Sequence, residues 1–214
     1  MLQFFKDLWW YLGYPWPKSA LRKLRALKIS VCPAERLPEC LGLYERNIPH
    51  GLPADHLEEY ADVIYGGKQL VLLVEDGDKL LATFTLARYA RGNQISLAYV
   101  LVDPVHHRSG VGTTMIFATI AMLSGENRNA ILGITALPTS AAFYKKLGFS
   151  KVGRIKIDNG QSVGLFSVFI WSGVSCDCLR WLNEAGVRLD ANGGMIPVIE
   201  PPKRESETLD SGNS

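Results

Sequence analysis

Residues 95–124 constrain this chain more than any other stretch. Residues 95–102 are rich in β-branched, aliphatic and aromatic side chains, the composition of a pleated strand. Asp103-Pro104 ends that strand, because a proline nitrogen cannot join a hydrogen-bonded ladder. The chain then passes through Val105, His106, His107, Arg108 and Ser109 into Gly110-Val111-Gly112-Thr113, and an apolar run to Leu123 follows. The run predicts a helix over 110–124, halted at Gly125. A helix start leaves backbone N–H groups unpaired and carries the positive end of the helix dipole. Glycines at 110 and 112 keep side chains away from those N–H groups, and Arg108 adds a fixed positive charge. The turn is expected to hold a phosphate or pyrophosphate.

A second segment, Ala141-Ala142-Phe143-Tyr144-Lys145-Lys146-Leu147-Gly148-Phe149, has its own logic. Phe143 and Leu147 lie four apart on one helix face and are expected to bury together. Gly148 ends the helix in a left-handed conformation, and Phe149 opens the next strand. Tyr144 then points away from the buried pair.

Both segments resemble signatures of the GNAT superfamily of N-acetyltransferases. His107-Arg108-Ser109-Gly110-Val111-Gly112 is similar to its acyl-CoA motif, Gln/Arg-x-x-Gly-x-Gly/Ala, with histidine in first place. The second segment is similar to Phe-Tyr-x-x-Leu-Gly-Phe. The resemblance covers residues 28–172, about two thirds of the chain. It implies an α/β (α+β) GNAT fold, with a mixed, mostly antiparallel central sheet flanked by helices. It also implies acetyl-CoA, or another acyl-CoA, as co-substrate and an amine as acceptor, with no metal. The implied coenzyme contacts are Val100, Leu101 and Val102 at the bulged strand end, then His107, Arg108, Ser109, Gly110, Val111, Gly112 and Thr113. Tyr144 is implied as the general acid, facing the coenzyme sulfur.

Amine attack on a thioester needs a polarised carbonyl, a proton for the leaving thiolate and a base for the amine. A backbone N–H among Val100–Val102 serves the first need in this family. Tyr144, a phenol of pKa ~10, serves the second. For the base, the strands over 95–102 and 130–136 hold no Asp, Glu or His. Tyr99, Thr135, His50 in the loop 47–52, a water relay and an amine already deprotonated all stay open. Asp55, Glu58, Glu59 and Asp62 lie along one helix beside the expected acceptor cleft, a charge pattern that would favour a cationic amine. The missing strand carboxylate leaves an alternative, a non-catalytic acyl-CoA-binding module. The acceptor itself, whether small amine, peptide or protein amine, is not encoded in any motif.

The remaining sequence bounds the partners. Residues 1–28 hold Lys6, Lys18, Arg22, Lys23, Arg25 and Lys28 against Asp7 alone, a local charge of +5 that leaves −3 elsewhere in a chain of net +2. Chain-wide nucleic-acid binding is therefore not expected, though the basic N-terminus could contact nucleic acid or, with Trp9, Trp10 and Trp16, a membrane surface. No apolar run reaches the ~20 residues that span a bilayer. Charges interrupt the start as a signal peptide, and Cys32, Cys40, Cys176 and Cys178 read as reduced thiols of a cytoplasmic protein. Cys-x-Cys is too tight for usual zinc spacing, and adjacent His106 and His107 diverge, so neither makes a metal site alone.

The expected organisation is an N-terminal helical extension (1–28, with helices at 2–12 and 20–27), a GNAT domain (29–172), a C-terminal helical extension (173–200, helix at 178–185) and a disordered tail (201–214). Within the domain the order is a strand, helices over 34–46 and 53–65, strands over 68–74, 79–90 and 95–102, then helix, strand, helix and two strands. The helix after the phosphate turn has no charged residue between Ser109 and Glu126. It should therefore be covered on both faces, by Phe5, Leu8, Trp9 and Leu12, by Leu179 and Trp181, or by a second subunit. The protein is expected to be a monomer or a homodimer.

Overall fold

The computed structural model describes residues 13–90, 93–124, 129–156, 160, 162–191 and 196–200. Nine strands form one sheet: β1 (Lys28–Val31), β2 (Leu70–Asp76), β3 (Lys79–Tyr89), β4 (Gln94–Val102), β5 (Ala130–Ala136), β6 (Ser150–Lys156), β7 (Ser162–Ile170), β8 (Arg188–Asp190) and β9 (Val198–Ile199). Among the described residues five α-helices accompany them: α1 (Leu37–Asn47), α2 (Leu57–Tyr65), α3 (Val111–Ala121), α4 (Ala141–Lys146) and α5 (Ser172–Glu184). The spatial order is β6-β7-β5-β4-β3-β2-β1-β8, with β9 beside β3. Most pairings are antiparallel, while β4/β5, β1/β8 and β3/β9 are parallel.

The alternation of strand side chains divides the core between the two faces of the sheet. Leu72, Val74, Phe84, Leu86, Ile95 and Leu97 pack with α3 and α5 on one face. Val71, Leu73 and Leu101 pack with Leu43, Tyr44, Tyr60 and Ile64 of α1 and α2 on the other. A hairpin joins β2 and β3, turning at Gly77-Asp78 with Asp76 opposite Lys79. β5 is central in the order, yet it alternates between buried and exposed residues, and Ile131 is 42% exposed. Its apolar composition therefore does not mean cover on both faces.

Every residue of α3 except Gly112 is buried. Its cover belongs to this chain. The Trp16 ring lies 4.8 Å from Phe117, and Trp181 of α5 lies 6.2 Å from the same ring. Phe5, Leu8, Trp9, Leu12, the expected helix over 2–12 and the tail 201–214 lie outside the described residues.

Both extensions depart from expectation. Residues 20–27 do not form an α-helix. They make a 3-10 turn, Lys18–Lys23, and Leu24 is already extended at φ −64°, ψ 141°. The physical reason is competition: the Arg25 amide bonds outward to Thr114 Oγ1 at 3.2 Å instead of continuing a helical ladder. Helix α5 starts six residues before the expected 178, and the Ser172 amide is held by Asn129 Oδ1 at 3.0 Å. The stretch 173–200 is not only helical, because β8 and β9 return to the sheet, paired with β1 and β3.

Candidate acyl-transfer site

β4 builds the centre of the site. Against β3, its register slips so that Thr83 faces Leu101 while Thr85 faces Ala98. Tyr99 and Val100 therefore oppose Phe84 alone, a β-bulge that aims their backbone groups off the ladder. The cost is visible at Tyr99, whose φ of 45° lies in the left-handed region that a bulky residue rarely occupies. Against β5, parallel pairing runs only from Gln94/Ile131 to Leu97/Ile134, while β4 continues to Val102 and β5 to Ala136. The two strands part there. The bulge falls on Tyr99 and Val100, while Leu101 and Val102 stay in register opposite Thr83 and Ala82; the parting from β5 takes in all of Val100, Leu101 and Val102.

The turn after β4 has an unusual backbone. Arg108 and Gly110 both have positive φ, 61° and 95°, on either side of Ser109. Such alternation turns successive N–H groups toward one point, making a concavity for an anion. Thr114 N bonds the Gly110 carbonyl at 3.0 Å, so the amides of Val111, Gly112 and Thr113 precede the first helical bond and stay available. His107 Nε2 lies 3.0 Å from the Val102 carbonyl, tying the turn back to its strand. The His50 ring lies 6.0 Å from that of His107, edge-on. Lys79 Nζ donates to His106 Nε2 at 3.0 Å, which accounts for that histidine without a metal.

The glycines also serve the packing of the chain. A Cβ at Gly110 would lie 2.2 Å from the Lys23 carbonyl oxygen, and one at Gly112 would lie 3.3 Å from the Phe143 ring. Both absent side chains make room for the protein's own packing. Through Lys23 and Arg25 the N-terminal segment forms one wall of the turn. Arg25 reaches Ser109 Oγ with Nη1 at 3.3 Å and Asp76 Oδ2 with Nη2 at 3.2 Å. Sequence reasoning missed this residue, since only the local excess of positive charge marked it.

In α4 the buried pair is Tyr144 and Leu147, three apart, each 4% exposed, while Phe143 is half-buried against Gly112. This reverses the expected orientation. The helix is only Ala141–Lys146, and its end at Gly148 (φ 82°) brings Tyr144 inward. The Tyr144 ring meets Phe143 and Phe149 edge-on at 5.0 and 5.5 Å. Burial raises its phenol well above the ordinary value, so the hydroxyl keeps its proton throughout the neutral range.

Of the candidate bases, Tyr99 stacks on Tyr60 at 4.8 Å, and Tyr60 on Tyr44 at 5.1 Å. Burial first, and then the charge of Glu59, push the Tyr99 phenol up, which removes it as a base at neutral pH. Thr135 is exposed. Glu59 also faces His56, with Oε2 3.5 Å from Nδ1. Among the described residues, no three His, Cys, Asp or Glu side chains gather as a metal site, and no helix is long and apolar enough to cross a membrane.

A bulged strand that parts from a parallel neighbour, followed by a tight turn and an apolar helix, frames the candidate site. Residues 49–163 match the model of the acetyltransferase (GNAT) domain. The chain belongs to the GNAT acetyltransferase family and is an enzyme of the N-acetyltransferase class. The fold is shared with the ribosomal-protein-S18-alanine N-acetyltransferase of Escherichia coli, at 20% identity and TM-score 0.54 over 68% of this chain and 94% of that one. It is shared too with an aminoglycoside N(6′)-acetyltransferase from Legionella pneumophila, at 13% identity and TM-score 0.59 over 73% and 96%. A Vibrio cholerae spermidine N-acetyltransferase chimera matches at 16% identity and TM-score 0.52 over 71% and 99%. No curated protein matches the chain by sequence.

Proposed function

We propose that the protein moves an acetyl or other acyl group from acyl-CoA to an amine by direct attack in the opening between β4 and β5. The parting of those strands beyond Leu97/Ile134, together with the bulge at Tyr99-Val100, is the observation that carries this reading. Acyl-CoA supplies the activated thioester. A backbone N–H at Val100, Leu101 or Val102 donates to the thioester carbonyl oxygen, where negative charge develops. The turn over residues 107–113 holds the phosphates, with Arg108 as the cation within it. Tyr144, kept protonated by burial, donates toward the departing thiolate. The amine proton leaves by water, with Glu59 the carboxylate whose charge reaches the cleft-side phenol of Tyr99.

The acceptor is a small-molecule, peptide or protein amine. Among fold relatives, acceptors include spermidine, an aminoglycoside and a ribosomal protein. A cytoplasmic location accords with four unbridged cysteines. Thiol release from acetyl-CoA, measured across a panel of amines, tests the activity, and Tyr144→Phe tests the acid. We expect coenzyme A affinity within about twofold of wild type and turnover reduced ~10²–10⁴-fold. An unchanged turnover with a true acceptor would remove Tyr144 from the chemistry.

A further inference from the structure

Arg25 has no counterpart in either sequence signature, yet the structure places it against the anion turn. Its backbone is fixed there: the Arg25 amide donates to Thr114 Oγ1 at 3.2 Å, and that hydroxyl donates to the Gly110 carbonyl at 3.2 Å. The side chain lies over Gly110, with Cγ 3.6 Å from where a Cβ would stand. Its guanidinium ends at Ser109 Oγ and Asp76 Oδ2.

The partners of that guanidinium are weak ones. Ser109 Oγ is a neutral acceptor whose own proton goes to the His106 carbonyl at 2.6 Å. The Asp76 side chain is 57% exposed, and ion pairs so wet contribute little. A guanidinium carries five N–H donors in a planar fork suited to phosphate, and here one nitrogen serves a hydroxyl and another a hydrated carboxylate. A phosphate oxygen at the turn would be a better acceptor for either. Arg108 sits within the same turn and pairs with no carboxylate among the described residues. Two guanidiniums, one from the motif and one bonded to Ser109 from the N-terminal segment, therefore belong to the same turn.

We propose that Arg25 is a phosphate ligand for acyl-CoA, so that the N-terminal segment completes the coenzyme site instead of serving as a separate membrane or nucleic-acid tether. The inference rests on the reading of residues 107–113 as the coenzyme turn. Coenzyme A offers a pyrophosphate and a 3′-phosphate, and the shared chemistry is phosphate to guanidinium.

Calorimetry with coenzyme A, dephospho-coenzyme A and S-acetylpantetheine decides it. Arg25→Gln should weaken coenzyme A ~10–100-fold, the loss of one hydrogen-bonded charge, and Arg25→Lys should recover part of it. S-acetylpantetheine, which has no phosphate, should bind wild type and Arg25→Gln equally. A weakening shared by dephospho-coenzyme A assigns the pyrophosphate, and one confined to coenzyme A assigns the 3′-phosphate. Coenzyme A binding by Arg25→Gln within twofold of wild type overturns the inference, as does an equal loss for S-acetylpantetheine. If Arg25→Gln does not fold, Asp76→Asn replaces it. Freed from its carboxylate, Arg25 should then bind coenzyme A more tightly, and unchanged or weaker binding overturns the proposal. Wild-type protein that ignores coenzyme A would refute both this inference and the turn reading. Weakening by Arg108→Ala alone would refute only Arg25.

Discussion

Gly148→Ala separates backbone strain from docking of the N-terminal segment, because Gly148 meets both. Its φ is 82°, and a Cβ there would lie 1.9 Å from the Pro15 carbonyl oxygen. Gly77 is the natural control, with φ 61° and nothing within 4 Å of a Cβ. An L-residue in the left-handed region costs roughly 1–2 kcal/mol, so Gly77→Ala should lose about that much. Gly148→Ala carries the same term plus a backbone collision that no side-chain rotation relieves. Overpacking of this kind adds about 1–3 kcal/mol. The alternative for the chain is to lift residues 14–16 away. That exposes Trp16, now 1% exposed, whose burial of ~200 Å² at ~25 cal/mol/Å² is worth up to ~5 kcal/mol. The expected loss is therefore ~2–5 kcal/mol beside ~1–2 for Gly77→Ala, read from urea midpoints at constant m-value. Should the segment lift, acrylamide quenching of the Trp16 component, identified with Trp16→Phe, will rise in the native state. Equal losses for the two variants would refute the docking of Pro15 on Gly148.

Ala118 is fully buried where α3 meets its cover, so Ala118→Glu places a charge against that face. We expect destabilisation of several kcal/mol in a monomer. Unchanged stability would mean that the face is open, and dissociation of a dimer would mean that another subunit covers it. At high pH the tyrosines decide. Burial first, and then the hydrogen bond to Asp177, push Tyr14 up to about 12, and burial likewise pushes Tyr44 to about 12. A folded-state pKa above the unfolded ~10 means that the native protein holds more protons in that window. Stability from these groups is thus complete below pH ~10 and lost as pH rises toward 12. Urea titrations between pH 9 and 12 should show that decline, and Tyr14→Phe should flatten it; a pH-independent stability would contradict the burial of these phenols.

Much of the fold was legible because local and tertiary signals agree. The strand over 95–102 ends at Asp103-Pro104 in the structure as in the sequence, and β5 spans the expected 130–136. The charge-free helix required cover, and Trp16, Trp181 and α5 supply it. The failures lie where the chain had two near-equal choices. Residues 20–27 have helical spacing, with Leu21, Leu24 and Leu27 on one face. Their last turn instead bonds Thr114 and enters β1, an exchange visible only when residue 114 is placed beside residue 25. β8 and β9 are three and two residues long, too short for a periodic signal.

The site shows the same division more sharply. A motif records which residue types are compatible with a turn, but not which neighbour enforces them. Gly110 and Gly112 were read as room for an anion, whereas Lys23 and Phe143 fill the space that a Cβ would need. The amides and the two positive φ values remain, and a Cβ at Gly110 would disturb those as well. What changes is the meaning of a glycine substitution there. Loss of coenzyme binding in such a variant would follow from a displaced N-terminal segment as readily as from a blocked phosphate. The sharper probes are Arg108, which pairs with no carboxylate among the described residues, and Arg25, whose backbone bonds survive replacement of its head group.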